Sequence, residues 1–202
     1  VANVPVEGFV YQLEQAKGRE LLAQAIDKRL SYATSVAERE AFLANIREML
    51  GVPSQVGAEP EALQSLNWAE VRKMEESGWV SFGAHTMHHP VLAYLSSPEE
   101  VKREISECRE VLEQQLGHPV RTFAYPVGKD EHIGDIALEA VRKAGYSWAV
   151  TAINGIITPQ NDRYRLPRVL GDVTRHWLVM AAETSGVWHF FSPLWKWKKS
   201  PA

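Results

Sequence analysis

Apolar positions in the first fifty residues recur at helical spacing. Val10, Leu13, Leu21, Leu22, Ala25, Ile26 and Leu30 follow it roughly, with Gly18 as an expected interruption. A second helix is predicted from Ser35, where Glu38 completes a capping-box pattern, and it turns Phe42, Ile46, Met49 and Leu50 inward. Gly51 and Pro53 stop it, and residues 52–65 read as a polar loop. Beyond that point the pattern alternates. Asn67 with Glu70 opens a helix running to Gly78, and Trp79 to Ala84 reads as a strand. Ser97, Pro98 and Glu100 open a further helix with the apolar stripe Val101, Ile105, Cys108, Val111, Leu112 and Leu116, closed by Gly117. Val120 to Tyr125 reads as a strand, Asp135 to Ala144 as a helix closed by Gly145, and Tyr146 to Ala152 as a strand. The alternation predicts an α/β fold with a parallel sheet and helices packed outside it. In such folds active sites gather where strands end.

At 202 residues the chain amounts to one domain, or one domain with an appendage. Its 45% hydrophobic and 23% charged residues are those of an ordinary globular protein. A net charge of -3 gives no sequence-wide attraction to nucleic acid. The single cysteine, Cys108, excludes an intramolecular disulfide and a Cys-rich zinc site, and its place on the apolar stripe makes it a core residue. No secretory signal pattern and no apolar run of membrane-spanning length is present.

Chemistry concentrates at G-A-H-T-M-H-H-P, residues 83–90. His85 and His89 stand four residues apart at the exit of a predicted strand, and an imidazole pair at short spacing can grip one zinc ion. Seven histidines in the chain also fall four apart by chance, so spacing alone leaves both readings open.

Two further segments align with it: Arg121-Thr122-Phe123-Ala124-Tyr125-Pro126-Val127-Gly128 and Arg165-Leu166-Pro167-Arg168. Together the three resemble the polysaccharide deacetylase family, the NodB-homology group of carbohydrate esterases, over roughly residues 66–170. The resemblance implies a partial deformed (β/α) barrel with an N-terminal helical segment. It divides the chain into a helical insertion and linker (1–65), the C-terminal part of the domain (66–185) and an aromatic, basic tail (186–202). It also implies a metal-dependent hydrolase that removes acetyl groups from a carbohydrate. His85 and His89 would then hold a divalent ion, most readily zinc. Thr86 would orient them, and His88 falls on a variable position. Such an ion polarises a carbonyl and brings the pKa of a water toward neutrality. The backbone N–H of Val127 matches the family's oxyanion donor, and Tyr125, Pro126 and Gly128 would border the substrate. Pro126 has no N–H to give, and Tyr125 either walls a sugar site or packs.

The chain departs from the family in three places. The opening T-F-D-D motif, which supplies a metal-binding Asp and a base, is absent, since the only Asp before His85 is the helical Asp27. Ala124 stands where many members carry an Arg, and the late L-x-x-H motif has Arg168 in place of its His. Arg168 and His176 are candidates to line the site or act as acid, with His132 and His189 as alternatives, and His118 is expected to be structural. The non-Met start leads us to expect the C-terminal part of a longer protein, with poor deacetylation by this stretch alone. Two alternatives stay open: a non-catalytic carbohydrate-binding remnant, and a related hydrolase acting on a small amide or lipid-linked sugar. In the tail, Trp188, Phe190, Phe191, Trp195 and Trp197 with three lysines suit packing first and membrane contact second. The compartment is left open between cytoplasm and cell envelope.

Overall fold

Two valines facing inward at every second position start the structure. The computed structural model describes residues 3–52, 65–169 and 176–186. Strand β1 (Asn3–Val6) buries Val4 and Val6 and pairs antiparallel with β2 (Phe9–Gln12). This hairpin replaces the helical pattern expected around Val10. Its two-residue turn, Glu7-Gly8, has both residues at positive φ, as a tight hairpin of right-handed twist requires.

Helix α1 (Ala16–Ser31) follows, and Gly18 lies inside it rather than interrupting it. A Cβ built there would meet the Gln12 carbonyl oxygen at 1.9 Å, so the glycine lets α1 lie close against β2. Helix α2 (Val36–Leu50) starts where the Ser35 hydroxyl accepts the Glu38 N–H at 3.1 Å and ends at left-handed Gly51. Glu38 does not close the expected box. Its carboxylate takes the Thr34 N–H at 2.7 Å and the Arg29 guanidinium, which hold it down to about 2. Val4, Val6, Leu22 and Ile46 form a core here, flanked by Phe42, Met49 and Leu50.

The larger core lies between helices and a parallel sheet. Helix α3 (Trp68–Glu76) has a complete capping box between Asn67 and Glu70. Helix α4 (Pro98–Leu116) starts at Ser97, with Pro98 in its first turn, and ends at left-handed Gly117. Strands β3 (Thr122–Ala124), β4 (Trp148–Asn154) and β5 (Leu166–Arg168) pair in parallel in that order. Among the described residues there follow short helix α5 (Asp130–Ile133), helix α6 (Asp135–Lys143) and helix α7 (Trp177–Thr184). Val101, Ile105 and Cys108 of α4 meet Phe123, Val141, Tyr146 and Ala149 in one buried cluster. The α/β architecture is thus the expected one, and among the described residues the sheet stays open, as a partial barrel does.

The expected strand at Trp79–Ala84 is reduced to a single bridge. Ala84 donates to Thr122 C=O at 2.9 Å and accepts from the Ala124 N–H at 2.8 Å, while Trp79 is 93% exposed. Among the described residues no strand flanks it on the other side, and against β3 only its last residue is laddered. Strand β5 went unread because Pro167 sits in it, and proline suits an edge. No described helix is long and apolar enough to cross a membrane. Apart from Gly186, the tail lies outside the described residues, as does most of the 52–65 loop.

Two outcomes follow. Gly18→Ala forces a methyl into the Gln12 carbonyl and should cost about 1–3 kcal/mol, as overpacking does. Thermal melts followed by circular dichroism check it, and an unchanged midpoint would mean β2 and α1 separate freely. Second, His118, expected to be structural, has its Nε2 2.6 Å from Glu75 of α3. That bond, helped by the Pro119 carbonyl, raises the imidazole above its usual 6.5. A raised folded-state value stabilises below the unfolded pKa and loses that contribution as pH climbs through the folded one. His118→Gln should therefore flatten the stability profile above about pH 6.5, the ordinary histidine value. Denaturant midpoints across that range measure it, and parallel profiles for the two proteins would exclude the pair as a source.

Candidate active site

A sharp turn follows the Ala84 bridge. Thr86 and His89 both hold positive φ, +65° and +56°, which side chains other than glycine rarely adopt. The Thr86 hydroxyl donates to His85 C=O at 2.6 Å and accepts the His89 N–H at 3.1 Å, closing the turn on itself. The result brings the two rings edge to face, centroids 4.8 Å apart at 75°. His85 Nδ1 lies 2.7 Å from the Ala124 carbonyl. A carbonyl only accepts, so Nδ1 carries a proton, and the tautomer this selects for the neutral ring has its lone pair on Nε2. Partial burial and the neighbouring His85 push His89 below its usual value, favouring the neutral imidazole that binds metals.

The third histidine faces elsewhere. His88 Nδ1 lies 2.6 Å from Glu104 Oε1, and Glu104 Oε2 accepts the N–H groups of Met87 (3.1 Å) and His88 (2.9 Å). Glu104 is only 4% exposed. The sequence did carry a signal for it, which the stripe reading passed over. Glu104 occupies the helical position between Val101 and Cys108 on the buried face of α4, where a carboxylate needs partners.

The second loop leaves β3 at Tyr125. Tyr125 is 1% exposed, packs on Phe123 at 5.2 Å and donates its hydroxyl to Tyr164 C=O, so its place is the core rather than a sugar wall. Pro126 is buried too. Val127 is 40% exposed with φ +58°, and the Gly128 N–H closes a three-residue turn on Pro126 C=O at 2.5 Å. Gly128 is required twice over, by its φ of +67° and by Ala152 N, 2.7 Å from any added Cβ. Three of the four described non-glycine residues with positive φ thus sit on these two loops.

A cleft of about 300 Å³ opens beside His85, walled by residues 83–85 and 122–124, Trp148 and Val150. Tyr125, Pro126 and Gly128 are not among its walls. Arg168 is bound through Nε to Thr151 C=O, and exposed His176 accepts the Leu178 N–H at 3.3 Å where α7 starts. His132 Nδ1 is buried with no partner among the described residues, beside Tyr94. His189 lies outside the described residues. The donor chemistry of His85 and His89 fits two positions of a metal site. Among the described residues no third His, Cys, Asp or Glu joins them.

Removing the Glu104 carboxylate should strand two part-buried N–H groups, those of Met87 and His88. Glu104→Ala is expected to cost about 1.5–3 kcal/mol, the range for hydrogen bonds to a charged group, and Glu104→Gln less. Urea denaturation reads both. Equal stability of the alanine variant and the parent would show that water replaces the carboxylate at no cost.

The chain is similar in sequence and in fold to known proteins. A poly-beta-1,6-N-acetyl-D-glucosamine N-deacetylase of Staphylococcus epidermidis is 29% identical over 115 residues, 54% of this chain and 39% of that protein. The chain thus spans about two fifths of that relative's length. Among solved structures, the Bacillus anthracis protein BA0330, assigned to the polysaccharide deacetylases, has a TM-score of 0.52 and 29% identity. The match covers 61% of this chain and 38% of that one. BC0361, a polysaccharide deacetylase from Bacillus cereus, shares the fold with a TM-score of 0.53 and 23% identity, over 69% of this chain and 46% of that one. The sequence model of the polysaccharide deacetylase family matches residues 40–149, more than half the chain, taking in the histidine turn and the Val127 loop: the chain belongs to that family.

Proposed function

We propose that the chain carries part of the active site of a metal-dependent hydrolase that removes acetyl groups from the amino groups of a polysaccharide. The observation that carries this is the pair of facing imidazoles, one with its metal-binding nitrogen left free by the Ala124 carbonyl. His85 and His89 hold the ion in this reading, and zinc suits two neutral imidazoles. A bound divalent ion would supply Lewis acidity toward the acetyl carbonyl. The named relative makes an N-acetylglucosamine polymer the first substrate to try. The Val127 N–H is the proposed oxyanion donor, on a turn whose positive φ no proline could hold. Arg168 would line the site and His176 is a candidate acid, each bonded to a backbone group, and the base is left unassigned.

A second reading draws on one observation: the described residues offer no third ligand. It keeps the fold as a carbohydrate-binding remnant without turnover. Calorimetric titration with zinc or cobalt separates the two. The parent chain should bind one ion. His85→Ala and His89→Ala should each weaken it by at least the roughly 10–100-fold that losing a mere supporting group costs. Acetate release from β-1,6-linked N-acetylglucosamine oligosaccharides, measured with the same ions, adds the chemical readout. Oligosaccharide binding without metal uptake would establish the remnant reading.

A further inference from the structure

The N-terminal unit meets the segment that follows the histidine pair. Ser96 N–H donates to Thr34 C=O at 2.9 Å, and Val36 N–H donates to Glu100 at 3.0 Å. Tyr32 stacks on Tyr94, centroids 5.1 Å apart and planes at 12°. Closest to the site, the Nε–H of half-buried Arg39, on α2, donates to His88 C=O at 3.0 Å.

That carbonyl belongs to the peptide unit joining His88 to His89. The N–H of the same unit is held by the Thr86 hydroxyl at 3.1 Å. The unit is therefore gripped at both ends, and its plane sets φ of His89, hence the direction of the His89 side chain. At φ +56° His89 sits in a conformation that costs a residue with a Cβ about 1–2 kcal/mol. Glu104 cannot offset that cost, because it holds the Met87 and His88 N–H groups, upstream of this peptide. Without a donor at the His88 carbonyl, the Thr86 hydroxyl alone resists rotation of the plane, the strain is relieved more readily, and the His89 ring turns away from His85 more often.

On the reading of His85 and His89 as metal ligands, we propose that Arg39 is a positioning residue for His89, so that the N-terminal helical unit is a working part of the site. The test uses the full 202-residue chain and its Arg39→Ala, Arg39→Lys and Arg29→Ala variants. Arg29 serves as control because its guanidinium holds Glu7 and Glu38 within the N-terminal unit. Amide hydrogen exchange is read without metal, and Co²⁺ affinity is read by calorimetry. Arg39→Ala should speed exchange at the His89 amide roughly fivefold, the worth of one hydrogen bond, and weaken Co²⁺ by a similar factor. Exchange in α4 should stay unchanged. Arg39→Lys should restore part of both effects, and Arg29→Ala should lower stability while moving neither. Unchanged His89 exchange in Arg39→Ala overturns the proposal. So do equal shifts in Arg29→Ala, or faster exchange with unchanged Co²⁺ affinity. Should the parent itself take up no Co²⁺, the metal reading fails, and His89 exchange alone decides whether Arg39 holds the peptide.

Discussion

A carboxylate can stay buried at the root of a surface turn only if the turn supplies donors to meet it. Glu104 satisfies that condition with two backbone N–H groups and an imidazole, all from residues 87 and 88. The bargain runs both ways. The carboxylate avoids the desolvation penalty of an unpaired charge, and the turn gains an anchor on a rigid helix of 19 residues. The anchor fixes the backbone of residues 87 and 88, between the two positive-φ residues Thr86 and His89, while the Thr86 hydroxyl and Arg39 hold the peptide that follows and the Ala124 carbonyl orients the His85 ring.

The strain in the two loops is concentrated rather than spread. Thr86, His89 and Val127 adopt backbone conformations that a folded protein keeps only when neighbours over-determine them. The neighbours are identifiable. The Thr86 hydroxyl bridges the two histidine backbones, and the close approach of β4 at Gly128 pins the turn on which Val127 stands. Rigid strands and α4 thus position groups that the loops alone would let wander.

The chain has two hydrophobic cores. The hairpin with α1 and α2 packs around Val4, Val6, Leu22 and Ile46, while the parallel sheet packs against α4 and α6. Polar contacts join them, from Thr34, Val36 and Arg39 to residues 88–100. One capping glutamate takes part in this joining. Glu100, expected to cap its own helix, instead accepts the first N–H of α2. One carboxylate satisfies a helix terminus from another element, where an isolated helix would have used it locally.

Local chemistry was readable along the chain because its hydrogen bonds close within a few residues. Asn67 with Glu70, Ser35 and Ser97 as helix starts, Gly51 and Gly117 as helix ends, and the alternation that leads to a parallel sheet all follow from side chains and their immediate neighbours. The histidine spacing and the motifs around Pro126 likewise pointed to the family before any fold was known. What the sequence could not decide were contacts made across the fold. Trp79 to Ala84 has strand composition, yet a ladder forms only where another strand runs in register beside it, and only Ala84 is paired. Gly18 looked like a break because its reason to exist is a carbonyl on another element. Tyr125 looked able to face a sugar until packing placed its hydroxyl on Tyr164. Glu104 and Arg39 were silent for the same reason: a carboxylate and a guanidinium acquire a role only from the distant atoms that the tertiary structure brings to them.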